Sequence, residues 1–567
     1  MSKKKNILQG RLRALLVLMV ISIAVVACRL CYVQVVVSPK YSLAAEEQRF
    51  CEIEITPKRG TITDRNGTDL GVSVMMDTIY VTPRNISDLE GFVEEVAPII
   101  NVDKQKLLKR LTKQQGYAYL VRKTDEKTLR AVKDVIEKRR IKGAGFIKES
   151  QRYYPNASLA SHVLGFTGME NHGLSGLELY YDELLYGKPG RVVAERDGRG
   201  KPIPQSVERS YQPVDGATIR LSIDKDIQYK SEIELVDAVT KYKARSGSII
   251  VIDPKDGEIY AMANSPSYNS NDLKTLKDNN SRNIAVTDIY EPGSTMKVLV
   301  ASGALEEGLC GPGTAFYLEP TIKIGSKIIS DAHSRPAENF SFSEIIEQSS
   351  NVGMVKVGSM MGRDSIIEYL EKYGFDRKTG IDFPGEAKGF YPKAENWSKM
   401  SLANIPFGQG ICTTQIQMVK AFSVIANNGR PVTPHFLLEA KNQRGRIVET
   451  AKLPEEKQVI DLQTCEQMKD ILEKTVVQGT GQQAKVPHYR VGGKTGTAQK
   501  AKVNNRGYEK GKYVASFIGM APIEDPRLLI LVVIDEPQAS IYGGSVAAPV
   551  FSKVAEFSLR HLRIPPQ

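Results

Sequence analysis

The sequence predicts an α/β (α+β) chain: an antiparallel sheet flanked by helices, preceded by a distinct N-terminal part and by one helix long enough to cross a membrane. Three observations predict it. Two apolar hairpins, residues 248–253 with 258–263 and residues 513–521 with 528–534, bracket a long stretch of helical periodicity. The order strands, helices, strands puts strands from both ends of the segment into one sheet. Residues 38 to about 215 read differently, as short strands, charged helical runs and glycine turns, and residues 14–37 are almost wholly apolar.

At 41% hydrophobic and 25% charged over 567 residues, the composition excludes wholesale disorder and a multi-pass membrane protein. The net charge of +12 is weighted to the start, where Lys3, Lys4, Lys5, Arg11 and Arg13 stand without an acid. No basic stripe or zinc-knuckle spacing accompanies it, so nucleic acid is excluded as a partner. Six cysteines in so long a chain make no disulfide scaffold. Cys28 and Cys31 have CxxC spacing but sit in the apolar stretch without a second pair, which argues against zinc or redox use. Pairing among Cys51, Cys310, Cys412 and Cys465 is left open.

Taken in order, the uncharged run 14–28 is 15 residues, short for a hydrocarbon core of roughly 30 Å. Extended to Val37 it is 24 residues, about 36 Å of helix, and then includes Arg29 and Gln34. Arg29 falls toward the far end, where a long cationic side chain can snorkel. The cations before the run predict a cytoplasmic tail at 1–13, a retained anchor at 14–37 and an extracytoplasmic remainder. A cleaved signal peptide is the rival reading; only a weak lipoprotein-like match at Cys28 favours it.

In the next part, Arg59-Gly60-Thr61-Ile62-Thr63-Asp64-Arg65-Asn66-Gly67 alternates into Asn-Gly, a hairpin signal. Residues 125–140 form a charged helical run. Gly173-Leu174-Ser175-Gly176-Leu177-Glu178 and Asp197-Gly198-Arg199-Gly200 are turn chemistry rather than catalytic chemistry. From Thr218 the pattern changes to the hairpins and helices described above.

The usual hydrolase signatures G-x-S-x-G, H-E-x-x-H and G-x-x-x-x-G-K-[ST] are missing, and the six histidines are scattered. A nucleophile here needs activation by something other than imidazole. Tyr290-Glu291-Pro292-Gly293-Ser294-Thr295-Met296-Lys297 supplies a candidate: Pro-Gly turns into a helix that runs through Glu307, so Ser294 sits at a helix N-terminus, where developing negative charge is favoured. Lys297 lies one turn on, on the same face. Burial and neighbouring cations would lower its pKa until it can take the serine's proton. Ser-x-x-Lys occurs three times in the chain, at Ser2, Ser222 and Ser294, so spacing alone decides little. Two later elements narrow it. Ser349-Ser350-Asn351 follows Ser294 by 55 residues, and Lys494-Thr495-Gly496-Thr497 follows Asn351 by 143. A second Lys-Thr-Gly, at Lys378, falls in a loop, whereas Lys494 precedes the terminal hairpin as an edge strand would. Such a strand can pair with an extended peptide. Ser349 then offers a proton relay, Asn351 an amide to orient substrate and Lys494 a cation for a substrate carboxylate. Gly496 allows close backbone approach, and the amides of Ser294 and Thr497 suit an oxyanion hole.

This ordered triple resembles that of the penicillin-recognising serine enzymes. Arg59 to Gly67 is similar to the N-terminal motif of class B penicillin-binding proteins. So are Gly173-x-x-Gly176-x-Glu178-x-x-Tyr181, Phe407-Gly408-Gln409-Gly410, Tyr513-x-Ala515-Ser516-Phe517-x-Gly519, and Tyr542-Gly543-Gly544 with Ala547-Ala548-Pro549-Val550. Glu291 resembles the septal-division (FtsI) or sporulation branch. Gln415, after Thr413-Thr414, stands where many relatives have Pro.

The resemblance implies a penicillin-binding transpeptidase fold at 216–567, an elongated pedestal of the dimerisation type at 38–215, and a peptidoglycan D,D-transpeptidase that cross-links stem peptides during septal wall synthesis. It implies Ser294 as nucleophile, Lys297 as general base, Ser349 and Asn351 as relay and substrate contact, and Lys494, Thr495, Gly496 and Thr497 as the substrate strand. No metal or cofactor is implied. β-Lactams are the implied covalent inhibitors. A SEDS-type (FtsW-like) glycan polymerase and other division proteins are the implied partners. The alternatives are a carboxypeptidase or β-lactamase of the same fold, or a non-catalytic β-lactam sensor or division scaffold.

Overall fold

The computed structural model describes residues 2–42, 50–114, 116–196, 202–502 and 507–566. The turn expected at Asp197-Gly198-Arg199-Gly200 lies outside the described residues, as does the side chain of Cys51. The other five cysteines are free thiols. The chain forms two compact units, residues 1–57 with 188–215 and residues 58–187 with 216–567.

The first unit begins with α1 (Ser2–Cys31), which continues into the π-helical stretch Tyr32–Val37. The helix Asn6–Ser42, 37 residues, is unburied and is long and apolar enough to cross a bilayer, which fits a single-pass anchor. It contains the expected span at 14–37. The remainder of this unit is a three-stranded antiparallel sheet: Gly190–Arg196 pairs with Phe50–Ile55 on one side and Pro202–Tyr211 on the other.

The second unit holds all three of the candidate motifs. Its strands β1 (Ser246–Ile252), β2 (Ile259–Ser265), β3 (Gly492–Ala501), β4 (Tyr508–Ala521) and β5 (Leu528–Asp535) form one antiparallel sheet in the order β2-β1-β5-β4-β3. The two hairpins read from sequence are therefore β1–β2 and β4–β5, and β3 is an edge strand carrying Lys494. Strand β4 starts at Tyr508, five residues before the expected Tyr513, because Ala501 pairs with Tyr508 past a bulge. Six helices matter below: α2 (Lys225–Lys241), α3 (Met296–Glu306), α4 (Phe342–Glu347), α5 (Asn351–Lys372), α6 (Gln415–Ala426) and α7 (Ala548–His561).

Side-chain alternation along the strands divides the apolar residues between two faces. Ile249, Val251, Phe517, Ile530 and Val532 pack with Leu235 of α2 and Phe551 and Val554 of α7. Ile250, Ile252, Ile518, Leu529 and Leu531 face the other way, in the core that contains Met296 and Leu299 of α3 and Phe422 of α6. Central β5 is covered on both sides, so residues 528–534 form an unbroken apolar run instead of an alternation. Helix α3 is buried all round, which explains its lack of a polar face.

A second, mixed sheet joins residues on both sides of 188–215. Its order is Ile447–Thr450, Leu437–Lys441, Thr218–Leu221, Ile62–Thr63, Asp69–Val81 and Ala118–Thr124, with Ala144–Tyr153 also paired to Asp69–Val81. The expected Asn-Gly hairpin is present between Ile62–Thr63 and Asp69–Val81. It is no two-residue turn: Gly67 alone has positive φ (+85°), and Asp64 Oδ1 closes the loop by accepting from the amides of Asn66 and Thr68. The glycine turn at 173–178 also has a structural purpose. Fully buried Glu178 accepts from Arg59 Nε at 2.7 Å and from Arg152 Nε at 2.5 Å, and Tyr154 Oη donates to it at 3.2 Å. A buried acid with two cations is satisfied only as a set, and breaking one such pair typically costs about 3–5 kcal/mol.

Candidate active site

Ser294 lies in the short 3-10 turn Gly293–Thr295 that feeds α3, and the backbone around it is tightly backed. Gly293 has φ +57° and its amide donates to Gly408 O at 3.1 Å. Gly408 has φ +81°, and a Cβ there would stand 2.0 Å from Gly293 O. The Phe407-to-Gly410 segment is thus the support of the serine turn, and Gly410 N donates to Glu291 Oε1 at 2.9 Å. Burial raises the Glu291 carboxyl above its ordinary range, against that bond. Ser294 is half-buried, and among the described residues its hydroxyl has no hydrogen-bond partner.

Lys297 is fully buried in the first turn of α3. Its Nζ donates to Ser349 O at 2.5 Å, Asn351 Oδ1 at 2.8 Å and Ser349 Oγ at 3.2 Å. Helices α4 and α5 meet at this point, and Ser349 takes the left-handed conformation (φ +59°) that turns one into the other. For a residue with a Cβ that conformation costs about 1–3 kcal/mol. An acid outside all three motifs holds the turn in place: Asp331 Oδ1 accepts from the amides of Asn351 (2.5 Å) and Val352 (3.0 Å), and Ser350 Oγ lies 3.0 Å from both carboxylate oxygens. Hydrogen bonds to a charged group contribute about 1.5–3 kcal/mol each, enough to offset the backbone strain. Asp331 sits in a connection after the strand Lys327–Ser330, and no local pattern in the sequence marks it.

Lys494 is also fully buried, on edge strand β3, and donates to Thr495 O at 3.2 Å and Thr495 Oγ1 at 3.3 Å. Burial pulls its amine down to about 7. Lys297 is pushed well below the ordinary lysine value, first by desolvation and then by the charge of Lys494, while Asp331 pulls it back up. The lysine beside a second cation expected from sequence is therefore present, with Lys494 as that cation. Gly496 does serve close approach, but of protein to protein. A Cβ on it would stand 2.3 Å from Ser516 Oγ and 3.2 Å from Thr295 Cγ2. Thr497 Oγ1 accepts from Gly543 N at 3.1 Å, and a Cβ on Gly543 would meet Gly496 O at 2.3 Å. The Tyr-Gly-Gly and Ala-Ser-Phe segments accordingly lock the edge strand in register.

The structure therefore brings Lys297, Ser349 and Asn351 into direct contact, with Lys494 close enough for its charge to act on Lys297. Two details differ from the expectation. The Lys297 amine is bonded to the Ser-x-Asn turn rather than to Ser294, and the Asn351 side chain is engaged on both ends, since its Nδ2 donates to Ser330 O at 2.9 Å. Gln415 likewise has a partner: at the start of α6 its Oε1 accepts from buried Ser248 Oγ at 2.5 Å.

Residues 247–556 match the penicillin binding protein transpeptidase domain, and residues 54–221 match the penicillin-binding protein dimerisation domain. Over 566 residues the chain is 34% identical to stage V sporulation protein D of Bacillus subtilis, covering 98% of this chain and 87% of that protein. It is 30% identical over 573 residues to peptidoglycan D,D-transpeptidase FtsI of Escherichia coli, covering 99% and 93%. Penicillin binding protein 3 of Mycobacterium tuberculosis, solved with aztreonam, superposes with a TM-score of 0.71 at 26% identity, over 91% of this chain and 98% of that one. Fold, motif order and these likenesses agree over nearly the whole length, and the chain belongs to the class B penicillin-binding proteins.

Proposed function

We propose that this protein is a serine-type peptidoglycan D,D-transpeptidase, acting in septal wall synthesis and inhibited by β-lactams. The observation that carries the reading is the buried Lys297 amine, held by Ser349 and Asn351 one helical turn from Ser294, with no histidine among its hydrogen-bond partners in the described residues. In the neutral form, which its burial favours, that amine accepts the Ser294 proton as Oγ attacks the carbonyl of the penultimate D-Ala of a donor stem peptide. The oxyanion is met by the amides of Ser294 and Thr497. The C–N bond breaks, the proton passes through Lys297 and Ser349 to the departing amine, and D-Ala leaves. An amine of a second stem peptide attacks the ester carbonyl and gives up a proton to Lys297; the C–O bond breaks, Lys297 passes the proton to Ser294 Oγ, and the cross-link is formed with Ser294 restored. The donor backbone pairs along β3 at Thr495, Gly496 and Thr497, and the Lys494 amine meets its terminal carboxylate. That carboxylate favours the charged form of an amine which burial alone leaves poised near neutrality. A β-lactam acylates the same oxygen, but the amine released by ring opening stays tethered.

The anchor helix, with its cations at the front, supports a cytoplasmic tail at 1–13 and an extracytoplasmic enzyme. Residues 216–567 serve as the transpeptidase domain, and residues 38–215 as a pedestal for partners, of which a SEDS-type (FtsW-like) polymerase is the expected one.

The test is a product assay: a donor ending in D-Ala-D-Ala is supplied with an amine acceptor. Dimer formation with D-Ala release, lost in Ser294→Ala, is expected, as is penicillin retention for hours. Hydrolysis without dimer would point to a carboxypeptidase, and penicillin release within seconds to a β-lactamase.

A further inference from the structure

The acyl-transfer scheme assigns no part to Asp331 or to Arg335. Besides its bonds to the Ser-x-Asn turn, Asp331 Oδ2 accepts from Arg335 Nε at 2.8 Å. The same guanidinium donates to Leu318 O, Pro336 O and Glu319 O and lies over the Phe340 ring, so the cation that faces Asp331 is itself fixed. Asp331 grips Ser350, Asn351 and Val352; these adjoin left-handed Ser349; and Ser349 with Asn351 supplies every acceptor that Lys297 uses among the described residues.

We propose that Asp331 is a positioning residue for acyl transfer: its carboxylate holds Ser349 and Asn351 where they bind the Lys297 amine, and its charge, moderated by Arg335, acts on that amine. The inference rests on the reading of Ser294 as the nucleophile. Charged groups face Lys297 from two elements. Lys494 on β3 favours the neutral amine, and Asp331 in the connection after Ser330 favours the ammonium; Ser349 and Asn351 on the third side contribute dipoles only. Without the Asp331 charge, Lys297 becomes neutral at a lower pH. Without the Arg335 charge, the Asp331 field is unopposed, and Lys297 becomes neutral at a higher pH. The general base must be neutral to act, so the acid limb of the rate profile follows the same two directions.

The test uses the full chain in detergent and follows acylation by a fluorescent penicillin from about pH 5 to about pH 10. For Asp331→Asn the expected result is an acid limb shifted downward by on the order of half a pH unit. Its plateau rate falls roughly tenfold, because the amide turns a donor toward Arg335 or Ser350 and loosens the turn. Arg335→Gln is expected to shift the limb upward. Asp331→Glu keeps the charge but displaces it by a methylene, so its limb stays near wild type while the plateau falls. A capping residue of structural value alone would change melting temperature and plateau yet leave every limb in place, and that result overturns the proposal. So does a limb that moves the same way in Asp331→Asn and Arg335→Gln. A wild-type protein that takes up no penicillin would defeat the reading of Ser294 itself, an outcome distinct from an unshifted limb.

Discussion

At the scale of single residues, the site stores cost where the chemistry needs it. Two amines are fully buried within reach of each other's charge, and each is held below its ordinary value by desolvation. For Lys494 the sign is definite. Its folded value is about 7, while an exposed lysine titrates near 10.4 in the unfolded chain. Between those values the unfolded state binds more protons, so stability rises with pH through this window and the penalty is greatest below it. Lys494→Met is therefore expected to raise the denaturation midpoint most at about pH 6, with the gain shrinking as pH approaches about 10, while penicillin acylation is largely lost. Urea titrations at several pH values check it; a gain independent of pH would contradict it. Lys297, Ser349 and Lys494 were legible in the sequence because three short motifs in a fixed order carry them. Asp331 was not, since the Ser350, Asn351 and Val352 groups it holds lie 19 to 21 residues away and no periodicity joins them.

At the scale of elements, the hairpins β1–β2 and β4–β5 were readable because strands covered on both faces read as short unbroken apolar runs bounded by turn residues. The left-handed Ser349 and the form of the loop around Gly67, though not the hairpin itself, were not, because both are set by side chains reaching back to the backbone rather than by residue type. Nor was the mixed sheet. Leu437–Lys441 pairs with Thr218–Leu221 across more than 200 residues, a contact that local pattern does not encode. The serine turn offers the clearest element-scale prediction. Gly408→Ala places a Cβ against Gly293 O at positive φ, where strain of about 1 kcal/mol adds to an overpacking cost of about 1–3 kcal/mol. Acylation by penicillin is expected to fall by tenfold or more as Ser294 is displaced, with a loss of global stability of about 2–4 kcal/mol. Wild-type acylation in this variant would show that the Phe407-to-Gly410 segment does not position the nucleophile.

At the scale of the molecule, the same architecture serves two ends. Edge strand β3 lies beside the Ser294 turn, while the opposite edge, β2, is capped by Gln228, whose side chain bonds the Met262 amide and carbonyl, and both faces of the sheet are covered by packing. The motifs outside the catalytic triple turn out to be joinery: Arg59 and Glu178 form a buried ion cluster, and Ser516 and Gly543 wedge against Gly496. An amine-activated hydroxyl at Ser294 underlies every step of the proposed acyl transfer. Peptide-level mass spectrometry of the full chain after incubation with a penicillin tests that most directly. One penicilloyl group is expected, on Ser294 and absent from Lys297→Met. An adduct on another residue, or an undiminished one on Ser294 in that variant, would contradict it.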